Sequence, residues 1–400
     1  MKKLLLTTLV SAISIGAAHA DGPTLYGKLK VSVSDIKNDL NSNRDVSVDS
    51  NASRFGIKGS EKLTDKLSAL YFIEWGISVD HSTNNTNTDS APSGTTTDLT
   101  ARNRFIGLQY DGIGTLKVGR LDTNVKTLQY INPAQGVDIL DDEVNGNFDM
   151  TQTFAGDNRI DNVVSFESAK FDTGFGALQG NFLISPSEKT VQEGATGKTG
   201  STATSTSLLF TNPKVGIYTG LAYDSNITSI WNAGNGLAGS GTFYKATNTA
   251  IPAAYKPTTN TLRWVGSADL GKLVGADGIT LNALVQQSKA TNLTAGALAP
   301  KESAYLLSAI YKFPASIADG LSAKVQWQSA TTSDLGAGLT DVKIDQLGAD
   351  IDYTFSAKTK VYGFVAERTV KNPNNPVTAS NGYDQNYKYT AFGVGMEQKF

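Results

Sequence analysis

The chain contains no cysteine, which excludes a disulfide framework and a thiolate metal site. It has two histidines, His19 near the N-terminus and His81 further on. With so few partners, neither a Ser–His triad nor a His/Cys metal centre is easily built, and no cofactor or metal ligand set is legible. After residue 20 no run reaches the ~20 apolar residues of a membrane helix. Mean hydropathy is −0.21, yet a low average does not exclude a membrane. A barrel strand shows lipid only one face, so its signal is alternation. The net charge of −2 gives no basic footprint for nucleic acid. No Pro- or Ser-rich linker divides the chain, so one large closed sheet explains its 400 residues better than two or three soluble domains.

The N-terminus has the order of a secretory signal. Lys2 and Lys3 form a basic segment, residues 4–16 are mostly apolar, and Ala18, His19 and Ala20 make a small-x-small cleavage site. Residues 1–20 are therefore expected to be removed, leaving residues 21–400 as one domain. In that span sixteen segments alternate with period two. Leu25, Leu29, Val31 and Val33 oppose Lys28, Lys30, Ser32 and Ser34. Val325 and Trp327 oppose Lys324, Gln326 and Gln328. Leu347, Ala349, Ile351, Tyr353 and Phe355 oppose Asp350 and Asp352. Such alternation marks half-buried strands. The connections alternate in length. Those at 61–66, 111–114, 172–176, 212–214 and 356–358 are short. Those at 35–52, 80–101, 122–160, 186–204, 225–260, 290–302, 329–345 and 370–386 are long, polar and rich in Asn, Thr, Ser and Gly. Short turns on one rim and long loops on the other predict an all-β transmembrane antiparallel barrel of 16 strands. Tyr26, Tyr71, Trp75, Tyr110, Phe313, Tyr353, Phe355, Tyr389 and Phe392 are candidates for interfacial girdles, or are ordinary strand-face aromatics.

Several segments together resemble the Gram-negative general porins, the trimeric sixteen-stranded diffusion channels of the outer membrane. They are TLYG at 24–27, SRFGIKGSE at 53–61, RFIGL at 104–108, GTLKVGR at 114–120, GAD at 348–350 with Tyr353, and the terminal Phe400. The resemblance implies short periplasmic turns, long extracellular loops, and a third loop folded into the pore. It also implies a homotrimer in outer-membrane lipid and lipopolysaccharide. Phe400, in step with Phe392, Val394 and Met396, would be the signal read by the barrel-assembly machinery; Gln398 departs from the family by being polar on that face.

By position the third loop is 122–158, and Asp138, Asp141, Asp142 and Glu143 are its candidate constriction acids. Such a cluster is also what a solvated surface loop carries. The resemblance places basic residues on the facing wall. Parity points Lys28, Lys30, Arg54, Lys58 and Arg159 to the lumen; Arg120 needs a bulge after Gly119 to join them. Acids opposite bases would set a transverse field in a water-filled constriction. The function these features imply is passive diffusion of ions and small hydrophilic solutes. The alternative is a substrate-selective or adhesin-like barrel whose loop aromatics, Trp231, Tyr244 and Tyr255, bind a partner; a lumenal run of aromatics, which would mark a sugar channel, is not evident. The stretch GSADLGK at 266–272 mimics a phosphate loop, but Leu273 stands where Ser/Thr is required.

Overall fold

A computed structural model describes residues 22–39, 43–80, 99–143, 148–150, 153–186, 202–228, 258–291, 299–334, 340–371 and 386–400. The expected signal peptide, His81, Trp231, Tyr244 and Tyr255 lie outside them, as does most of the long loop 80–101.

The described residues form one antiparallel sheet. Its first segments are β1 (Thr24–Asn38), β2 (Asn43–Ser50), β3 (Arg54–Lys62), β4 (Leu67–Ile77), β5 (Leu99–Tyr110) and β6 (Gly114–Asp122). There follow β7 (Arg159–Ser168), β8 (Phe171–Asp172), β9 (Ala177–Ser185), β10 (Ala203–Asn212), β11 (Ile217–Thr228) and β12 (Thr258–Asp269). The last are β13 (Ile279–Thr291), β14 (Lys301–Lys312), β15 (Leu321–Ser333), β16 (Val342–Ser356), β17 (Thr359–Lys371) and β18 (Asn386–Lys399). β2 and β3 both pair with β1 and are halves of one stave, broken where Ala52 takes a φ of 48°. β7 and β8 both pair with β9 and are likewise one stave. The barrel thus has 16 staves. β1 pairs with β18 from Lys28 opposite Lys399 to Asn38 opposite Tyr389, which closes the ring. Closure leaves no strand edge, so every stave's backbone is satisfied without water, as a bilayer demands.

The side chains are sorted inversely to those of a soluble protein. On β15, Val325 and Trp327 are exposed while Gln326 and Gln328 are buried. On β16, Leu347 and Ile351 are exposed while Gln346, Asp350 and Asp352 are buried. An apolar outer face this extensive is what a lipid-facing surface requires. Tyr71, Trp75, Tyr110, Tyr353, Phe355 and Phe392 follow the outward parity. Tyr26 and Tyr389 do not belong with them. Tyr26 shares the inward parity of Lys28 and donates to Glu74, and Tyr389 lies under Arg368.

Two further expectations change. Residues 35–52 are mostly strand rather than loop: β1 and β2 run on as a ribbon paired to Asn38–Asn43. The stretch 266–272 is a strand end and helix cap, because the Asp269 carboxylate accepts from the N–H groups of Gly271 and Lys272 at the start of a helical turn, Leu270–Val274.

At the terminus, Phe400 exchanges backbone hydrogen bonds with Gly27 (3.1 and 3.3 Å). A Cβ on Gly27 would come within 2.4 Å of the Phe400 ring, so the glycine makes room for it. Gln398, polar among apolar neighbours, accepts a 2.9 Å bond from the Thr359 hydroxyl.

Candidate functional site

The loop between β6 and β7 turns inward. A helical turn, Asn124–Thr127, is capped by the Thr123 hydroxyl and continues as a 3-10 turn, Leu128–Tyr130. The chain then runs round the inner wall. The Asn124 N–H donates to the Ser205 hydroxyl of β10 at 2.7 Å. Asn132 donates to Ser267 of β12, and Ser308 of β14 donates to the Val137 carbonyl. The Ile139 N–H donates to Gln326 of β15 at 2.7 Å, and Gln346 of β16 donates to the Phe148 carbonyl. Tyr362 of β17 donates to the Glu143 carbonyl. Each of these wall residues has the parity opposite to the exposed apolar face, so the loop lies inside the barrel.

Two apolar clusters hold it there. Val125, Leu128, Ile131, Val137, Met150 and Phe154 pack on wall residues that include Tyr218, Val265, Leu284 and Leu306. Ile139, Leu140 and Phe148 pack on Ile310, Tyr362, Phe364, Ala366 and Ala391. Each large side chain so buried contributes ~1.5–3 kcal/mol. Gly220 and Gly348 make the approach possible: a Cβ there would lie 2.7 Å from Leu128 Cδ1 and 2.4 Å from Leu140 Cδ1.

A polar bolt secures the returning strand of the loop. Arg263 of β12 is fully buried and forks onto Asp157 (2.8 and 3.2 Å). It also donates to the Val125 carbonyl and to Gln286. Gln286 in turn donates to the Ala155 carbonyl and to Glu302, whose carboxylate accepts from the Ala155 N–H.

The acidic tip sits on the basic wall rather than across a gap from it. Asp142 pairs with Lys28 at 3.0 Å and Arg54 at 3.1 Å. Glu143 pairs with Lys30 at 3.0 Å and Lys360 at 3.3 Å. Glu143, Asp350 and Asp352 converge, and Lys30, Lys324 and Lys360 stand among them: Lys324 contacts both aspartates and Lys360 reaches Asp352 at 3.1 Å. Three lysines neutralise three carboxylates. The opposition of an acidic loop to basic residues on the far wall is therefore replaced, for Asp142 and Glu143, by direct contact.

The other expected site residues are dispersed. Asp138 is a brace within the loop, accepting from the Leu140 and Met150 N–H groups and from Gln326. Asp141 accepts a 2.5 Å bond from the Tyr130 hydroxyl. Burial, helped by the charge of Asp141, pushes the Asp138 carboxyl up to about 7. Burial and the charge of Asp142 push Asp141 up to about 6. Burial alone would also raise Asp142, but Lys28 and Arg54 outweigh it and hold that carboxyl well below the usual range.

Arg120 keeps the outward parity of its strand, without the bulge it needed to join the lumenal cations, and Arg159 leaves the inward parity a strict count gives it, for one reason. β7 carries an extra residue between the pairs Gly119–Val163 and Leu121–Ile160, where Asn162 takes a φ of 56°. The bulge is thus on β7, not on β6. β6 stays in step, so Arg120 shares the side of Val118, away from the lumen, and pairs with exposed Asp161 at 2.6 Å. Arg159 falls out of step and is buried at the neck of the loop, 3.0 Å from Asp122 and bonded to Asn103.

Lys58 does point inward, and it belongs to a feature missed in the sequence. Tyr26, Phe72 and Phe105, from three strands, form an inward aromatic ridge with centroid separations of 5.7 and 5.5 Å. The Lys58 ammonium lies 5.2 Å above the Tyr26 ring, and that of Lys117 lies 5.3 Å above Phe105. Beside the ridge, Arg102 binds Glu74 at 2.6 Å. The one available signal was the inward parity of each ring taken separately.

A closed barrel with an apolar exterior, a polar interior and one loop packed against its inner wall defines an outer-membrane channel-type barrel. A sequence model of the Gram-negative porin family matches residues 6–373, and the chain belongs to that family. The major outer membrane protein P.IB of Neisseria meningitidis serogroup A is 34% identical over 140 residues, 33% of this chain and 38% of that protein. The P.IB protein of Neisseria sicca is 33% identical over 133 residues, 32% of this chain and 33% of its own. The chain thus spans little more than a third of these relatives' length. Among solved structures, the anion-selective porin from Comamonas acidovorans superposes with a TM-score of 0.64 at 17% identity, over 95% of this chain and 99% of its own. The outer membrane channel DcaP of Acinetobacter baumannii superposes with 0.61 at 12% identity, over 94% and 97%. At those identities the likeness is one of fold. Family and relatives place the chain in the outer membrane.

Proposed function

We propose that the protein is a passive diffusion channel for ions and small hydrophilic solutes, narrowed by the loop 123–158. The observation that carries this is a polar interior holding one immobilised loop inside an apolar-faced closed barrel. Residues 1–20 act as the export leader, and residues 21–400 assemble as a homotrimer in outer-membrane lipid and lipopolysaccharide. Phe400, seated at the barrel seam, serves as the assembly signal.

The charge balance at the loop tip favours anions. Lys28 and Arg54 share the carboxylate of Asp142, and Lys28 also reaches Glu397 at 3.5 Å. Lys58 has no carboxylate within ion-pair distance among the described residues. Lys28, Arg54 and Lys58 are the wall cations that act on permeant ions; Lys30 is neutralised by Glu143, and Asp138 and Asp141 hold the loop's shape. The test is single-channel recording of the refolded mature chain under a salt gradient. A reversal potential of the sign for anions supports the reading, and one for cations contradicts the assigned balance.

A further inference from the structure

The ridge and Lys58 have a chemistry that bulk diffusion does not use. Lys58 and Phe72 stand directly opposite each other on β3 and β4, and Phe72 is opposite Phe105 across β4 and β5. All three have inward parity. Tyr26 lies flat over Gly56, where a Cβ would meet its hydroxyl at 2.5 Å, and it is tied by that hydroxyl to Glu74 at 3.1 Å. The rings are thus fixed by backbone and hydrogen bonds. Phe72 and Tyr26 are partly exposed; Phe72 packs at the margin of a third cluster, which includes Phe105 and Leu121, and neither ring belongs to the two that bury the loop.

The surrounding charges are committed. Glu74 is held by Arg102 at 2.6 Å, and Asp142 is held by two cations. Among the described residues Lys58 has only the Tyr26 face as its partner. A cation over an exposed ring is held less firmly than one hydrogen-bonded to a charged group. A carboxylate therefore competes for this ammonium on favourable terms, and a planar ring attached to it meets an aromatic edge, a favoured arrangement for a ring pair.

We infer that Lys58, Phe72 and Tyr26 form a lumenal subsite for aromatic carboxylates, in which the acid group pairs with Lys58 and the ring packs on the lumenal edge of Phe72, whose faces Tyr26 and Phe105 flank. This rests on the channel reading and adds a solute class to it. A site of this kind binds weakly enough to release, as conduction requires.

The experiment is single-channel recording with benzoate added to one side of the bilayer, against cyclohexanecarboxylate and benzyl alcohol as probes that each lack one half of the ligand. The subsite predicts concentration-dependent interruptions with benzoate at millimolar levels, at least fivefold fewer with either control. Lys58→Gln should weaken the benzoate effect about tenfold relative to its own benzoate-free current, and Lys58→Arg should retain it. Phe72→Leu should bring benzoate down to the level of cyclohexanecarboxylate. A conducting channel that benzoate does not interrupt, or interruption unchanged in Lys58→Gln, overturns the subsite and leaves the channel reading standing. A folded chain with no conductance overturns both.

Discussion

Gly348 shows how much of the pore's shape rests on single positions. Its missing side chain is the space that Leu140 fills, 2.4 Å from where a Cβ would be, and Leu140 is itself buried in the second loop cluster. Overpacking such a site costs ~1–3 kcal/mol. Gly348→Leu should therefore lift the loop tip and raise single-channel conductance; adding Leu140→Ala should return the conductance towards its original value. Unchanged conductance in Gly348→Leu would show that the tip does not limit the current. Arg263 is the opposite case, a buried cation that must keep its partner. Removing one member of such a pair costs ~3–5 kcal/mol. Arg263→Met should thus lower the midpoint of denaturant unfolding of the detergent-folded barrel, and the double variant with Asp157→Leu should recover most of the loss. Equal midpoints for wild type and Arg263→Met would remove the bolt from the account.

The loop behaves as an element because its parts titrate against one another. Asp138 and Asp141 have raised carboxyls in the docked loop. A raised carboxyl favours the docked state most where it is protonated, so this contribution is complete below about 4 and is lost as pH rises through about 6 to 7. Asp142 is depressed, so its pairing with Lys28 and Arg54 contributes above about 4 and is lost below. Docking should be tightest near pH 4–5 and looser on either side. Conductance measured from pH 3 to pH 8 should pass through a minimum there, and Asp138→Asn should flatten its alkaline limb. A steady rise from pH 8 down to pH 3 would contradict the assignment. Part of this element was legible. An acidic inward loop at 122–158 follows from position once the family resemblance is drawn. Its resting place was also written in the strands, though less openly. On β12 and β14, Val265 and Leu306 are apolar at inward positions beside outward Trp264 and Leu307, so the polar inner face of those strands is interrupted where the apolar side chains of the loop cover it. What could not be read is contact. Which carboxylate meets which ammonium depends on the loop's path. The extra residue in β7 moves Arg159 out of the parity that a strict count assigns.

At the scale of the whole molecule the sequence was most informative, because a bilayer allows few solutions. Backbone groups must be satisfied internally, and each stave must turn apolar side chains outwards. Val325 and Trp327 against Gln326 and Gln328 state that rule, and β15 obeys it. The ridge was invisible for the complementary reason. Tyr26, Phe72 and Phe105 are far apart in sequence, and only the register between strands makes them neighbours. If the function proposed above is right, this ring of staves is an open channel. The direct test is to refold residues 21–400 in detergent, verify the fold by heat-modifiable migration on a gel, and record currents in a planar bilayer. A stable conductance that closes in three equal steps is the predicted result. A correctly folded sample that passes no current would contradict it.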